Sequence, residues 1–290
     1  MTSVHLHAPA KINLYLAVLG RRPDGYHDIE TLFQAIDLYD DVYIKKAADR
    51  TTLQLPNHPE LETADNSALH ALAWLEQWAG RSLPVEITIQ KRIPIAAGLG
   101  GGSSDAAAVL AGVRALYGLD IPDDELARGA LSVGADAPFF LKGGAAVGEG
   151  VGEKLTRVKL PDNYAIILVN PGFPVSTAEV YRLYSKGLTG RFAEGRLWRL
   201  LADNADIGDL LHNDLQPVCE ALHPEAANVR KSLAAAGIEQ ILMSGSGPTV
   251  FGIVKDGRTL EQTRRRAAAH AKQSWSLASA RPIPFGVRIC

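Results

Sequence analysis

Apolar and other residues alternate from Ile12 to Leu19, with Ile12, Leu14, Leu16 and Val18 on one face and Lys11, Asn13, Tyr15 and Ala17 on the other. That period of two predicts a β-strand. Pro23-Asp24-Gly25 reads as a turn, followed by strands at Ile29–Ile36 and Val42–Ile44 with a polar corner at Asp40-Asp41 between them. The chain therefore opens as an antiparallel sheet. Asp65 or Asn66 is placed to cap a helix over Ser67–Ala79, whose Leu69, Leu72, Trp74, Leu75 and Trp78 are expected to face the core. Val85, Ile87 and Ile89 alternate with Glu86, Thr88 and Gln90 in a strand that leads into a run of glycines. A helix is predicted from Ser104 to Tyr117, a second from Pro122 to about Val133, and a third starting beside Asp136. Gly143-Gly144 to Leu155 reads as a glycine-rich hairpin.

Polar Pro161-Asp162-Asn163 precedes a new apolar strand, Tyr164–Val169, and places a domain boundary between 1–160 and 161–290. Beyond it the pattern predicts helices at Ser176–Lys186, Glu225–Ala236 and Thr259–Gln273, and strands at Gln240–Met243, Thr249–Val254 and near Val287. This is an α+β arrangement with helices on one face of an antiparallel sheet.

Composition narrows the function. The 290 residues are 47% hydrophobic and 21% charged with a formal net charge of -2, so a nucleic-acid or anionic-membrane partner gains no general electrostatic support. Two cysteines, Cys219 and Cys290, suit a reducing compartment and exclude a disulfide framework; Cys290 reads as incidental. The first eleven residues lack the apolar core of a secretory signal, and no run approaches the ~20 apolar residues of a membrane span. A cytoplasmic protein with small-molecule partners is expected, as a monomer or weak homodimer. His5 and His7 share a strand face with no third ligand near them in the sequence, which argues against a metal site there. Arg264-Arg265-Arg266 reads as a solvated helix face.

The chemistry concentrates in Pro94-Ile95-Ala96-Ala97-Gly98-Leu99-Gly100-Gly101-Gly102-Ser103-Ser104-Asp105. Four glycines in five residues let the backbone adopt positive φ and approach a ligand closely. Ser103 or Ser104 is expected to cap the helix, whose first amides, at the positive end of its dipole, can hold phosphate oxygens. A Walker A loop would need a Lys after the glycines, and a Rossmann fingerprint would need Gly where Ser103 stands, so both are disfavoured.

Three separated segments, Ala8-Pro9-Ala10-Lys11-Ile12-Asn13-Leu14, Gly98–Ala107 and Ser244-Gly245-Ser246-Gly247-Pro248-Thr249, together resemble the GHMP small-molecule kinases over nearly the whole chain. The resemblance implies two domains: an N-terminal mixed α/β domain similar to the second domain of ribosomal protein S5, and a ferredoxin-like C-terminal domain, with the active site in the cleft between them. Arg22-Pro23-Asp24-Gly25-Tyr26-His27 and Gly134-Ala135-Asp136-Ala137-Pro138 resemble those members of the family that phosphorylate the 2-hydroxyl of a cytidine-diphosphate-linked methylerythritol, in the non-mevalonate route to isoprenoid precursors. ATP as co-substrate and Mg2+ are implied, with the metal ligands unassigned beyond Ser103 and Ser104 as candidates.

The resemblance assigns Lys11 and Asp136 to the reacting hydroxyl and Asn13 to its neighbourhood. Phosphoryl transfer asks mainly for positioning and charge neutralisation, so a carboxylate and an ammonium beside the alcohol form a sufficient set. Standing alone, Asp136 would read as a helix N-cap and Lys11 as a solvent-facing strand residue. Tyr26, His27 and Tyr181 match positions that hold the cytosine, and Thr177 a contact to the diphosphate or polyol. Pro94, Ala97, Gly98, Leu99, Gly100, Gly101, Gly102, Ser103 and Ser104 match the ATP loop; Asn66 matches a nucleotide contact, although helix capping explains it equally well. Gly245, Ser246 and Gly247 match a loop that closes the cleft. Asp105 stands where some relatives have Asn, and a carboxylate there repels phosphate unless it faces away or meets magnesium. The nearest rival is the same fold with another alcohol, of homoserine or mevalonate type, against which Tyr26, His27 and Tyr181 argue. A non-catalytic nucleotide- or RNA-binding module is disfavoured by the balanced charge and the Lys11/Asp136 pair.

Overall fold

The computed structural model describes residues 1–184, 195–203, 205–255 and 259–290. Its frame is the long antiparallel pair β1 (Ser3–Arg21) and β2 (His27–Lys46), joined at the turn where Gly25 takes φ 90°. At one end β2 is flanked by β4 (Val85–Gln90) and then β3 (Thr52–Gln54); at its other end it pairs with β5 (Ala145–Gly150), which continues into β6 (Lys154–Val158). Two short strands, β8 (His212–Asn213) and β12 (Arg288–Ile289), attach to β1. A second, antiparallel sheet runs in the order β11 (Ser276–Ala280), β7 (Ala165–Asn170), β10 (Val250–Val254), β9 (Ile241–Met243).

Helices α1 (Ser67–Ala79), α2 (Gly101–Tyr117), α3 (Asp123–Val133) and α4 (Ala137–Lys142) belong with the first sheet. Val4, Leu6, Val42, Ile44, Val85 and Ile87 of that sheet form one core with Leu72, Leu75, Val109 and Val113. At Gly112 a Cβ would stand 2.7 Å from Ile44 and 2.8 Å from Leu6, so glycine is what lets α2 lie this close to the sheet. Helices α5 (Thr177–Tyr184), α6 (Arg196–Ala202), α7 (Gln216–Leu222), α8 (Pro224–Ala235) and α9 (Leu260–His270) follow.

Strand β7 is buried on both faces, which explains its unbroken apolar run. Ala165, Ile167 and Val169 pack with Val180, Val229, Leu233 and Ala267 of the helices. Ile166 and Leu168 pack with Ala10, Ile12 and Leu14 of β1. The second sheet thus lies directly on the first, and the two cannot separate without exposing an apolar core. Among the described residues no helix is long and apolar enough to cross a membrane.

Several local expectations are corrected. Asp40-Asp41 is no corner: both residues are buried inside the continuous strand β2 because their carboxylates find partners there. The single alternation of β1 breaks at an irregularity between Asn13 and Tyr15, so Leu14, Tyr15 and Ala17 share one core while Leu16 and Val18 enter another. Trp78 is exposed rather than core, lying at the outer side of α1. Helix α2 begins at Gly101, and neither Ser103 nor Ser104 caps it; Gly100, at φ 73°, is the N-cap and supplies no side chain. Helices α6 and α7 and strand β11 lacked a clear period in the sequence. Residues 185 and 186 of the helix expected to end at Lys186 lie outside the described residues. Finally, β12 returns the chain to the first sheet, and the Cys290 N–H donates to the His5 carbonyl at 2.9 Å.

Candidate active site

A cleft of about 1220 Å³ opens where the two sheets meet. Its floor is the glycine loop. Gly98 and Gly100 take φ of 76° and 73°, and Ala96, at φ 49°, holds a conformation rare for a residue with a Cβ. Because Gly100 offers no capping side chain, the first amides of α2 remain available to an anion at the positive end of the helix dipole. The absence of a serine cap is therefore what suits this helix end to phosphate.

The two candidate loops touch through their backbones. A Cβ on Gly98 would stand 2.0 Å from the Ser244 carbonyl oxygen. The Ser244 hydroxyl donates to the Gly98 carbonyl at 2.8 Å and accepts the Asn13 N–H at 3.2 Å. Asn213 anchors the second loop from behind, its amide donating to the carbonyls of Met243 and Gly245, each at 2.8 Å. Gly245 and Gly247, at φ 56° and 86°, supply the bend.

Beside this junction lies Lys11, only 3% exposed. Its ammonium donates to Asn13 Oδ1 at 2.6 Å and to the Gly98 carbonyl at 3.1 Å, and stands 3.3 Å from Asp136 Oδ2. Two hydrogen bonds and the Asp136 charge thereby hold the ammonium in place. Asn13 is oriented in turn by donating to Thr31 Oγ1 at 2.8 Å, whose hydroxyl donates to the Tyr15 carbonyl at 2.7 Å. Asp136 sits at the N-cap position of α4 but makes no side-chain capping bond; its carboxylate faces the cleft and Lys11 instead.

Farther along the cleft the His27 and Tyr181 rings stack with centroids 5.1 Å apart, while Tyr26 is 65% exposed at the rim. Burial, and next the Arg21 charge, hold His27 below the usual imidazole range. The ring is therefore neutral near pH 7, with one donor and one acceptor nitrogen. Burial, followed by the Asp136 and Asp214 charges, pushes the Tyr181 hydroxyl well up. Thr177 Oγ1 and Ser246 Oγ share a 2.8 Å hydrogen bond across the cleft wall.

Asp105 is nearly buried on the cleft lining beside Lys91, which meets its carboxylate. Its Oδ2 and Asp40 Oδ2 lie 2.6 and 2.5 Å from the buried Lys91 ammonium, and Asp40 Oδ1 accepts the N–H groups of Arg92 and Ile93. One buried cation faces two carboxylates. Burial above all, with Asp40 adding repulsion against the Lys91 attraction, pushes the Asp105 carboxyl up to about 7. Burial opposes the Lys91 charge, yet Asp105 and Asp40 outweigh it and raise that ammonium.

The cleft collects Lys11, Asn13, Tyr26, His27, Asn66, Pro94, Ala97, Gly98, Gly100, Gly101, Gly102, Ser103, Asp136, Thr177, Tyr181, Gly245 and Ser246. Leu99, Ser104 and Gly247 are not on its lining; Leu99 and Ser104 are buried behind it. Asn66 spends its amide on capping, accepting from Ala68 N–H and donating to the Leu61 carbonyl, both at 2.9 Å. Sequence reasoning missed Ser244, Asn213, Thr31, Lys91 and Asp40. Ser244 stood in a quoted motif, but nothing in the sequence indicated the paired carboxylates around Lys91.

Comparison with known proteins bears on the fold and the family. Residues 66–144 match the GHMP kinases N terminal domain and residues 198–273 the GHMP kinases C terminal domain. The chain is 41% identical to a 4-diphosphocytidyl-2-C-methyl-D-erythritol kinase of Geobacter metallireducens, over 98% of this chain and 100% of the relative. It is also 41% identical to the Moorella thermoacetica protein of that name, over 95% and 97%. A crystal structure of 4-(cytidine 5'-diphospho)-2C-methyl-D-erythritol kinase superposes with a TM-score of 0.78 at 33% identity, covering 96% of this chain and 98% of that one. A homoserine kinase from Cytophaga hutchinsonii, at 20% identity and TM-score 0.77 over 100% and 98%, shares the fold. The chain belongs to the 4-diphosphocytidyl-2-C-methyl-D-erythritol kinase family of the GHMP kinases.

Proposed function

We propose that this chain transfers the γ-phosphoryl group of ATP to the 2-hydroxyl of 4-diphosphocytidyl-2-C-methyl-D-erythritol. The observation that carries the reading is the Lys11–Asp136 pair, 3.3 Å apart and hydrogen-bonded through Lys11 to Gly98 of the anion-binding loop. An acceptor alcohol beside Asp136 lies next to the place where the loop amides hold phosphate.

In this reading Asp136 orients the hydroxyl and accepts its proton. A carboxylate is too weak a base to ionise an alcohol beforehand, so the proton moves late, as the new P–O bond acidifies the oxygen. Lys11 stabilises the charge that develops on that oxygen and, fixed by hydrogen bonds to Asn13 and Gly98, needs little reorganisation to do so. Pro94, Ala97, Gly98, Gly100, Gly101, Gly102 and Ser103 form the ATP side, with Leu99 and Ser104 behind them. Magnesium would supply charge neutralisation on the phosphates; Ser103, on the cleft lining, fits as a hydroxyl donor, whereas Ser104 is buried and Asp105 is engaged by Lys91.

The base end is built for a pyrimidine. Neutral His27, stacked on Tyr181, places an imidazole edge at the base end, and Tyr26 supplies an aromatic face at the rim for stacking. Thr177 and Ser246 contact the diphosphate or polyol between the two ends. The reading carries with it a cytoplasmic enzyme with small-molecule partners, acting as a monomer or weak homodimer.

The test is acceptor choice. Purified protein with magnesium ATP is offered the cytidine-linked polyol, its uridine-linked counterpart, homoserine and mevalonate. Turnover confined to the first supports the reading, and equal or greater turnover of any other overturns the substrate assignment.

A further inference from the structure

We propose that His5, His7 and Cys290 form a zinc site completed by the Asp41 carboxylate, clamping the end of the described chain onto the first sheet. None of these four residues lines the cleft. The strands bring them together. His5 and His7 share one face of β1; across β2 they oppose Tyr43 and Asp41, and across β12 the backbone bond from Cys290 sets that residue beside His5. One ligand atom from each of His5, His7 and Cys290 lies within 4.8 Å of the others.

Zinc bonds of about 2.0–2.1 Å to imidazole and 2.3 Å to thiolate require donors roughly 3.5 Å apart. Bringing the His5, His7 and Cys290 atoms to that spacing takes a movement of about 1 Å, within reach of the exposed Cys290 side chain. The rings are already held: His5 stacks on Tyr43 at 4.3 Å and His7 on Tyr39 at 4.9 Å. Asp41 Oδ1 lies 2.9 Å from His5 Nε2 and 3.3 Å from His7 Nε2, aimed between them. Its second oxygen is occupied by Arg92 at 2.6 Å, and the Arg288 guanidinium is turned over the Phe285 ring at 4.4 Å. His7 Nδ1 is buried with no hydrogen-bond partner.

Two imidazoles, a thiolate and a carboxylate select zinc over magnesium or calcium, which prefer all-oxygen sets. Binding forms a Zn–S bond as the Cys290 thiol releases its proton to water, and the thiolate and Asp41 balance the charge of the ion. The clamp secures a segment that supports α4: the Val287 N–H donates to the Phe140 carbonyl at 2.8 Å, and a Cβ on Gly286 would stand 2.0 Å from that same oxygen.

The test uses the full chain, stripped with chelator under a non-thiol reductant, and titrated with Co2+ as a spectroscopic probe and then with Zn2+. The expected result is a thiolate-to-cobalt charge-transfer band at one equivalent, displaced by zinc. Cys290→Ser abolishes the band, and His7→Ala lowers zinc affinity at least about 10-fold. Zinc also raises Tm in the parent chain and not in Cys290→Ser, with far-ultraviolet circular dichroism reporting that both variants are folded. A chain that gives no such band, or a band that survives Cys290→Ser and so belongs to Cys219, overturns the proposal.

Discussion

Lys11 and Asp136 meet at 3.3 Å from opposite circumstances: the lysine is buried in the first strand, and the aspartate is open to the cleft at a helix start that it does not cap. An N-capping aspartate would have its carboxylate bound to the N–H groups of its own helix. With that role unfilled, Asp136→Asn is expected to leave stability nearly unchanged and lower kcat by about 100-fold or more, with KM for ATP little altered. Lys11→Met is expected to lower kcat similarly, and also to destabilise by about 1–3 kcal/mol because Asn13 loses a buried partner. The double variant should be little slower than either single one, since the residues act on one oxygen. Steady-state kinetics beside urea unfolding separates these effects.

Gly98→Ala tests the contact between the two loops. Alanine at φ 76° is strained, and its Cβ would collide with the Ser244 backbone carbonyl, which cannot rotate aside. The expected loss is more than about 2 kcal/mol, together with a raised KM for ATP. Calorimetry and kinetics on the same variant check it; wild-type stability would mean that the loops do not meet as described.

At the base end, Tyr26→Ala is the cleanest substitution because the side chain is 65% exposed and supports no core. Loss of one stacking face is expected to weaken the cytidine-linked substrate by about 1–3 kcal/mol, an increase of KM of roughly 5- to 150-fold, and to erode preference over the uridine-linked analogue. Competition assays with both substrates read this directly. Unchanged discrimination would remove Tyr26 from the base site.

Asp105 gives a pH signature. Its carboxyl titrates near 3.8 when unperturbed and is pushed up to about 7 in the folded protein. Between those values the folded state holds the extra proton, so this group's contribution makes stability fall as pH rises from about 4 to about 7. Asp105→Asn leaves Lys91 paired with Asp40 and should flatten that fall, which urea unfolding at pH 5 and pH 8 measures. The same slope in both proteins would contradict the assignment.

Much of the site was legible because its parts are local. The glycine loop, the Lys11/Asn13 face and the Gly245-Ser246-Gly247 turn each declare themselves within a few residues. Position within the assembled fold did not. Asp40 and Asp41 read as a surface corner because two adjacent acids are normally solvated, and their burial is made tolerable by partners distant in sequence, Lys91 and the Arg92 and Ile93 N–H groups for Asp40, and Arg92, His5 and His7 for Asp41. The serine cap expected on α2 failed for a related reason: Gly100 can start a helix with positive φ, leaving its amides for a ligand. Ser244 and Asn213 act through hydrogen bonds to carbonyls far away in sequence, which no period reveals. Cys290 looked incidental until β12 set it beside His5.

The central claim is that this cleft phosphorylates one hydroxyl with Asp136 as the proton acceptor. Phosphorus NMR of a reaction containing magnesium ATP and 4-diphosphocytidyl-2-C-methyl-D-erythritol tests it most directly. The account predicts a new phosphomonoester resonance on the C2 oxygen, formed together with ADP by the parent chain and nearly absent with Asp136→Asn. The same resonance growing at an undiminished rate with Asp136→Asn, or no product from the parent chain, would contradict it.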